Sequence, residues 1–158
     1  MLKLTLTMLL IMTPFASVQS KEMDHLSGAV IGTLTVDNMT EGQLMWMKGK
    51  VGEGKYSGLD QQGRHCTINV PVIIGGFSEA QLGIRPSKGI KIAITSNELN
   101  YALLSGRPIN NTDWTFKTTP PSDGYIISGI EPSEQFILNS RKRWISWFLD
   151  EKVTPSCV

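Results

Sequence analysis

The stretch GEGKYSGLDQQGRHCTINVPVIIGGFSEAQLGIRPSKGIKIAITSNELNYALLSGR, residues 52–107, decides the fold of this 158-residue chain. Short runs rich in β-branched residues alternate in it with glycines, a pattern typical of strands separated by turns or bulges. Residues 89–95 form the clearest of these runs, because isoleucines at every second position give one apolar face and one more polar face. The stretch therefore predicts a β-sheet with one face in the core.

A short helix is predicted to follow this strand. Thr95 precedes Glu98 by three residues, which is the spacing of a capping box. Apolar residues then recur at helical spacing until Gly106, which is a typical residue after a helix end. The predicted helix covers residues 97–105.

Further strands are predicted on both sides of that helix, at 29–36, 43–48, 66–74, 112–116 and 125–130. In the second of these, Leu44 and Trp46 fall on one face and Met45 and Met47 on the other, which predicts a strand buried on both sides. Together the elements predict an α+β fold: a single β-rich domain with a mostly antiparallel sheet or partly closed barrel, one short helix and a C-terminal segment that fits an amphipathic helix.

The N-terminus has the pattern of a secretory signal peptide over residues 1–20. Lys3 precedes an apolar run of about a dozen residues, and small residues follow it. Such a run is too short to span a bilayer, which needs roughly 20 residues. We expect an exported protein that begins near Lys21 and is periplasmic or secreted, with peripheral attachment to a membrane as one alternative and an uncleaved N-terminal helix as another.

The charge of the exported chain is balanced. Lys3 is the one charged residue of the predicted leader, so its removal lowers the formal net charge from +1 to zero. Bulk electrostatics therefore gives no reason to expect nucleic acid as a partner.

Cys66 and Cys157 are the two cysteines of the chain. An even count in an exported protein favours a disulfide, which here would hold the C-terminal tail against the middle of the chain. The alternative, a redox or metal pair, is disfavoured because the sequence has no CxxC motif and only two histidines, His25 and His65.

The chain lacks the usual arrangements of catalytic residues. His65 is predicted to lie in a turn beside Cys66, and even on a strand adjacent side chains point to opposite faces. Ser78 lacks the second glycine of a nucleophile elbow. We therefore expect no enzymatic activity, no cofactor and no metal site.

Five pieces of residues 52–107, taken in order, resemble the SYLF-domain family of lipid-binding modules. They are Gly52-Glu53-Gly54 before a strand and a turn, the strand ending in Gly75-Gly76-Phe77-Ser78, the pair Gln81 and Gly83, the strand at 89–95, and the helix ending at Gly106. The residues that carry the family motif are Gly52, Gly54, Gly76, Ser78, Gln81 and Gly83. The resemblance implies a non-catalytic protein that binds lipid or an anionic membrane surface.

Residues 135–152, QFILNSRKRWISWFLDEK, combine the cations and aromatic side chains that membrane surfaces attract. The candidate lipid-binding residues are Arg141, Lys142, Arg143, Trp144, Trp147 and Phe148. On a helix their aromatic rings share a wide apolar arc, whereas a strand hairpin would place the three cations at its turn. Two other interpretations stay open: the aromatic rings cover the sheet, or they meet a protein partner, as in a structural or interaction module of the cell envelope.

Overall fold

The computed structural model describes residues 29–119, 121–131, 133–140 and 154–158, with the backbone alone described for 77–81. The predicted signal peptide and the six candidate residues from Arg141 to Phe148 lie outside the described residues.

The described chain forms seven strands and one helix. Their order is β1 (Gly32–Leu59), β2 (His65–Ile94), α1 (Asn97–Leu104), β3 (Ile109–Asn110), β4 (Phe116–Lys117), β5 (Gly124–Ser128), β6 (Gln135–Leu138) and β7 (Ser156–Cys157). The strands make one curled, half-barrel sheet. The fold is therefore mostly β, and the predicted α+β class is wrong.

Part of the predicted C-terminal helix is also wrong, because its first residues form strand β6. This strand pairs with residues 72–75 of β2, and its side chains are alternately exposed and buried. Among the described helices, none is long and apolar enough to cross a membrane.

Strands β1 and β2 form one long antiparallel hairpin, whose register runs from Gly32 opposite Ile94 to Leu59 opposite His65. The turn between them is held by Asp60, whose carboxylate accepts hydrogen bonds from the backbone N–H groups of Gln62 and Arg64, both at 2.9 Å. The separate strands predicted at 29–36 and 43–48 are thus parts of β1, and those at 66–74 and 89–95 are parts of β2. Most glycines that suggested turns lie inside continuous strands.

The hairpin curls until the two halves of β1 meet. The backbone N–H of Leu59 donates to the carbonyl of Ile31 at 3.4 Å. A side chain on Gly54 would lie 2.6 Å from Val36 and 2.7 Å from the carbonyl of Thr35. Only glycine permits this approach, so Gly54 allows the sheet to close on itself.

The core lies inside the curl and under α1. Its largest fully buried side chains include Leu34, Tyr56, Ile92, Leu99, Leu103 and Phe136. The Tyr56 hydroxyl donates to Oδ1 of Asn100 at 2.6 Å, and Nδ2 of Asn100 donates to the carbonyl of Leu59 at 2.7 Å. Burial raises the pKa of Tyr56 far above its ordinary value. Helix α1 is therefore fixed to the hairpin by polar contacts as well as by packing.

The predicted helix is confirmed within one residue, but its cap is different. Ser96 caps α1, since its hydroxyl accepts a hydrogen bond from the N–H of Leu99. Thr95 instead donates to the carbonyls of Ser122 and Asp123, which connects β2 to the loop before β5.

Three short strands pair with the other edge of β2. They are β7 at residues 66–67, β6 at residues 72–75 and β5 at residues 91–94. The Cys66–Cys157 disulfide joins β7 to β2, as predicted. This bond is compatible with an oxidising, exported location.

Candidate functional site

The most unusual surface of the described chain is the middle of the hairpin, residues 42–47 of β1 and 76–84 of β2, which we call the apolar arm. Six large apolar side chains described in it are more than half exposed: Leu44 56%, Met45 54%, Trp46 58%, Met47 52%, Leu82 76% and Ile84 83%. Soluble proteins rarely expose so many neighbouring apolar groups without a partner.

The arm stands apart because the rest of the sheet does not extend over it. Strand β6 pairs with β2 only as far as Gly75, and β5 pairs only from Lys91 onward. Among the described residues, no third strand bonds to 76–90. A side chain added at Gly42 or Gly83 would meet nothing within 4 Å. Within the described part of the chain, the arm is therefore a two-stranded ribbon with open space beside Gly42 and Gly83.

A break in strand register marks the end of the arm. Met45 pairs with Gln81 and Met47 with Phe77, so three residues of β2 lie opposite Trp46. Met45 also has a positive φ of 53°, which a side-chain-bearing residue seldom adopts. The ribbon thus bends at Trp46.

Residues 43–48 correct the prediction of a strand buried on both sides. Leu44 and Leu82 are direct cross-strand partners and share one face of the ribbon. Met45 belongs to the opposite face, and both faces are exposed. A shallow groove of about 460 Å³ runs along the ribbon, lined by Leu44, Met47 and Ile84 among glycines.

A chain of ion pairs lies at the base of the arm. Nε and Nη2 of Arg85 donate to Oε1 of Glu41 at 3.0 and 2.6 Å. Lys48 lies 3.8 Å from Glu41 and 3.9 Å from Glu134, and Lys50 lies 2.8 Å from Glu134. Both carboxylates are buried, so each depends on its cations.

The pKa of Glu41 reflects two opposing effects. Burial favours the neutral acid, but hydrogen bonds from Arg85 and the positive charges of Lys48, Arg85 and Lys50 outweigh it. The pKa of Glu41 therefore lies below its ordinary value, and the carboxylate is charged at neutral pH.

The glycines of the predicted family motif have two kinds of surroundings. Gly52 and Gly54 lie where the halves of β1 pack together, with β1 atoms within 3.0 Å of an added side chain. Gly76 lies against Glu134 at the base of the arm, and Gly83 lies within the arm. The side chains of Ser78 and Gln81 are outside the described part of the structure.

The cysteines and His65, which were considered as nucleophiles or metal ligands, do not form a reactive site among the described residues. Cys66 is bound to Cys157, so neither sulfur is a free nucleophile or metal ligand, although Asp60 lies close to both. His65 is exposed at the hairpin turn. What the described residues do form is an exposed apolar surface on the arm.

Sequence reasoning missed the arm as a site, although it noted the residues. The signal was four consecutive large apolar residues, 44–47, which place apolar groups on both faces of a strand. Comparison of the chain with protein-family models, curated proteins and solved structures gives no match.

Proposed function

We propose that this protein is an exported, non-catalytic membrane-surface binder that inserts the apolar arm into the lipid interface. The observation that carries the proposal is the exposure of large apolar side chains on both faces of a two-stranded ribbon. A flat protein surface would cover one face and leave the other in water. A lipid interface surrounds the ribbon on all sides and so removes both faces from water.

The composition of the arm supports the same proposal. Trp46 lies at the bend, and tryptophan favours the boundary between headgroups and acyl chains. Glu79 is the one charged residue of 42–47 and 76–84, while Lys48 and Arg85 follow at the base. Apolar groups at the tip and cations behind them form the pattern of interfacial anchors.

The resemblance to SYLF-domain proteins is consistent with lipid binding, and membership of that family remains a proposal. The candidates Arg141, Lys142, Arg143, Trp144, Trp147 and Phe148 also remain a prediction, as a second lipid-contacting segment. We propose the periplasm or the external medium as the location, with peripheral attachment to a membrane through the arm.

Co-sedimentation of the purified protein with vesicles tests the proposal. Wild-type protein and Leu82→Ser are compared on phosphatidylcholine vesicles and on vesicles with added phosphatidylglycerol. Ile127→Ser is the matched control, because Ile127 is 55% exposed on β5, away from the arm. Each buried methylene contributes about 0.8 kcal/mol to membrane affinity. We therefore expect Leu82→Ser to bind at least about tenfold more weakly than Ile127→Ser.

Two results would count against the proposal. Wild-type protein that stays in the supernatant with every vesicle composition rules out surface binding. Equal binding of Leu82→Ser and Ile127→Ser rules out the arm, and loss of binding in Trp144→Ser would then assign the contact to the C-terminal segment.

A second candidate function is a protein-interaction module of the cell envelope that does not bind lipid. One observation favours it: Val51, Ile73 and Ile137 lie side by side on three neighbouring strands and are 51%, 43% and 38% exposed. Such a flat apolar row suits a protein surface. If Ile73→Asp abolishes an association seen by native mass spectrometry while vesicle binding is absent, this function replaces the first.

A further inference from the structure

We propose that Arg85 and Lys48 form a binding site for phosphate-ester oxygens at the base of the apolar arm. The inference rests on the proposed membrane function, for which it names the part of the lipid that the protein recognises: the headgroup phosphate.

Arg85 is held in place yet retains free donors. Glu41, which is 4% exposed, accepts two of its N–H groups on one carboxylate oxygen. A guanidinium has five N–H donors, and within the described residues the other three have no acceptor. The Arg85 side chain is 63% exposed, so these donors are open to a ligand. The buried Glu41 carboxylate thus orients the exposed Arg85 guanidinium, whose planar set of N–H donors matches the geometry of phosphate oxygens.

Lys48 supplies a second cation, which makes no hydrogen bond to the described residues and whose side chain is 18% exposed. Its ammonium lies near Glu41 and Glu134, but at 3.8 and 3.9 Å these contacts are too long for hydrogen bonds. Lys48 and Arg85 contact the two different oxygens of the same Glu41 carboxylate. The three cations of the ion-pair chain face only two carboxylates, so the cluster carries one excess positive charge.

The length of the arm places this cluster at the level of lipid phosphates. Glu41 and Arg85 are cross-strand partners, five residues before the bend at Trp46. At about 3.3 Å per residue, an extended strand places the bend at most roughly 16 Å from this pair. Interfacial segments enter the acyl boundary by about 5–10 Å. With the tip at that depth, Arg85 lies within the headgroup layer.

A cleft beside Arg85 provides space for the ligand. It has a volume of about 190 Å³ and is lined by Glu41, Arg85 and the arm residues Leu82 and Ile84, with Gln43 and Gly83. One side of the cleft is charged and the other apolar. Arg85 is the cation of this lining, and Lys48 lines the adjoining groove along the arm. A phosphate ester in the cleft can place its oxygens at Arg85 and its organic part along the arm.

The first experiment tests the site without a membrane. Protein labelled with ¹⁵N is titrated with glycerol 3-phosphate, and the Nε–H resonance of Arg85 is followed by NMR. In wild-type protein, we expect the shift of this resonance to reach a plateau as the glycerol 3-phosphate concentration rises. The Lys88→Gln variant should respond in the same way, because Lys88 is an exposed cation of the same strand outside the ion-pair chain.

The second experiment uses phosphatidylglycerol vesicles. Arg85→Gln should bind about tenfold more weakly than wild-type protein, since it removes charge-assisted hydrogen bonds to the phosphate. Lys88→Gln removes the same charge and should lose less than half as much affinity on a logarithmic scale. Arg85→Lys keeps the charge without the planar fork and should fall between Arg85→Gln and wild type, which separates recognition of phosphate from general attraction.

The two experiments distinguish failure of the site from failure of the function. Vesicle binding that is equal in Arg85→Gln and Lys88→Gln, with no shift of the Arg85 resonance, overturns the phosphate site and leaves membrane binding intact. If the Arg85 resonance shifts with saturation but the protein does not bind vesicles, the site binds a free phosphate ester. The proposal that its ligand is a lipid headgroup is then overturned. If neither the Arg85 shift nor vesicle binding is observed, the phosphate site and the membrane function are both overturned.

Discussion

Two regions of the β1–β2 ribbon, the end at the hairpin turn and the apolar arm in the middle, have opposite surroundings. Near the hairpin turn, Tyr56 is completely buried, α1 covers the sheet, and the Cys66–Cys157 disulfide joins a further strand. At the apolar arm, Trp46 and Leu82 are exposed and no described strand covers the ribbon. The same hairpin therefore provides a closely packed body near its turn and, in its middle, a surface whose described apolar side chains are exposed.

Glycines show the same contrast. A side chain on Gly54 would collide with Val36, whereas one on Gly83 would meet nothing within 4 Å. In the body, glycine permits close packing of strands. In the arm it leaves the ribbon thin, which keeps both faces accessible. The body is thus the closely packed part of the described structure, and the arm is its exposed apolar part.

Loss of the disulfide should produce the largest effect on the free energy of unfolding, because this bond lies in the body. The bond closes a loop of 91 residues, and the chain-entropy model assigns it about 4–5 kcal/mol. We expect Cys157→Ser to lower the free energy of unfolding by that amount in urea denaturation. Ser156→Ala, next to it in β7, is the control and should change little. Equal stability of the two variants would show that β7 adds no constraint.

Matched leucine truncations test the contrast directly. Leu103 is fully buried in α1, and Leu103→Ala should cost about 3 kcal/mol of folding free energy through lost burial and a cavity. Leu82→Ala at the arm should change stability by less than about 0.5 kcal/mol. In vesicle binding, Leu82→Ala should lose more affinity than Leu103→Ala. A large loss of stability in Leu82→Ala would mean that the arm is part of the folding core.

How far the sequence predicts the structure also differs between the two regions. Periodicity and cysteine count correctly predicted the strand at 89–95, the helix near 97–105 and the Cys66–Cys157 bond, because each depends on local pattern or on a single pair. The continuity of β1 and β2 depends on pairing over long distances, which glycine positions do not reveal. The exposure of Leu44 and Trp46 depends on where β5 and β6 stop, and no local pattern encodes that.

Glu134 links the arm to the body, and its neutralisation should have an intermediate effect. Glu134 and Lys50 are both buried and lie 2.8 Å apart, so Glu134→Gln leaves a buried ammonium without its counter-charge. Because glutamine still accepts a hydrogen bond, we expect a loss of about 2 kcal/mol in urea denaturation. Glu131→Gln is an exposed control in the same segment. If the two variants are equally stable, the ion-pair chain does not stabilise the base of the arm.

The smallest expected effect is a pH dependence that comes from Glu41. Its pKa is lower in the folded protein than its ordinary value of 4.5, because Arg85 and the neighbouring lysines stabilise the carboxylate more than burial destabilises it. The resulting stabilisation is present above pH 4.5 and is lost as the pH falls through the folded-state pKa. Urea denaturation of wild-type protein and Glu41→Gln should therefore show a difference at pH 6 that shrinks towards pH 3. A constant difference over this range would mean that the Glu41 side chain stabilises the protein by its shape and hydrogen bonding and not by its charge.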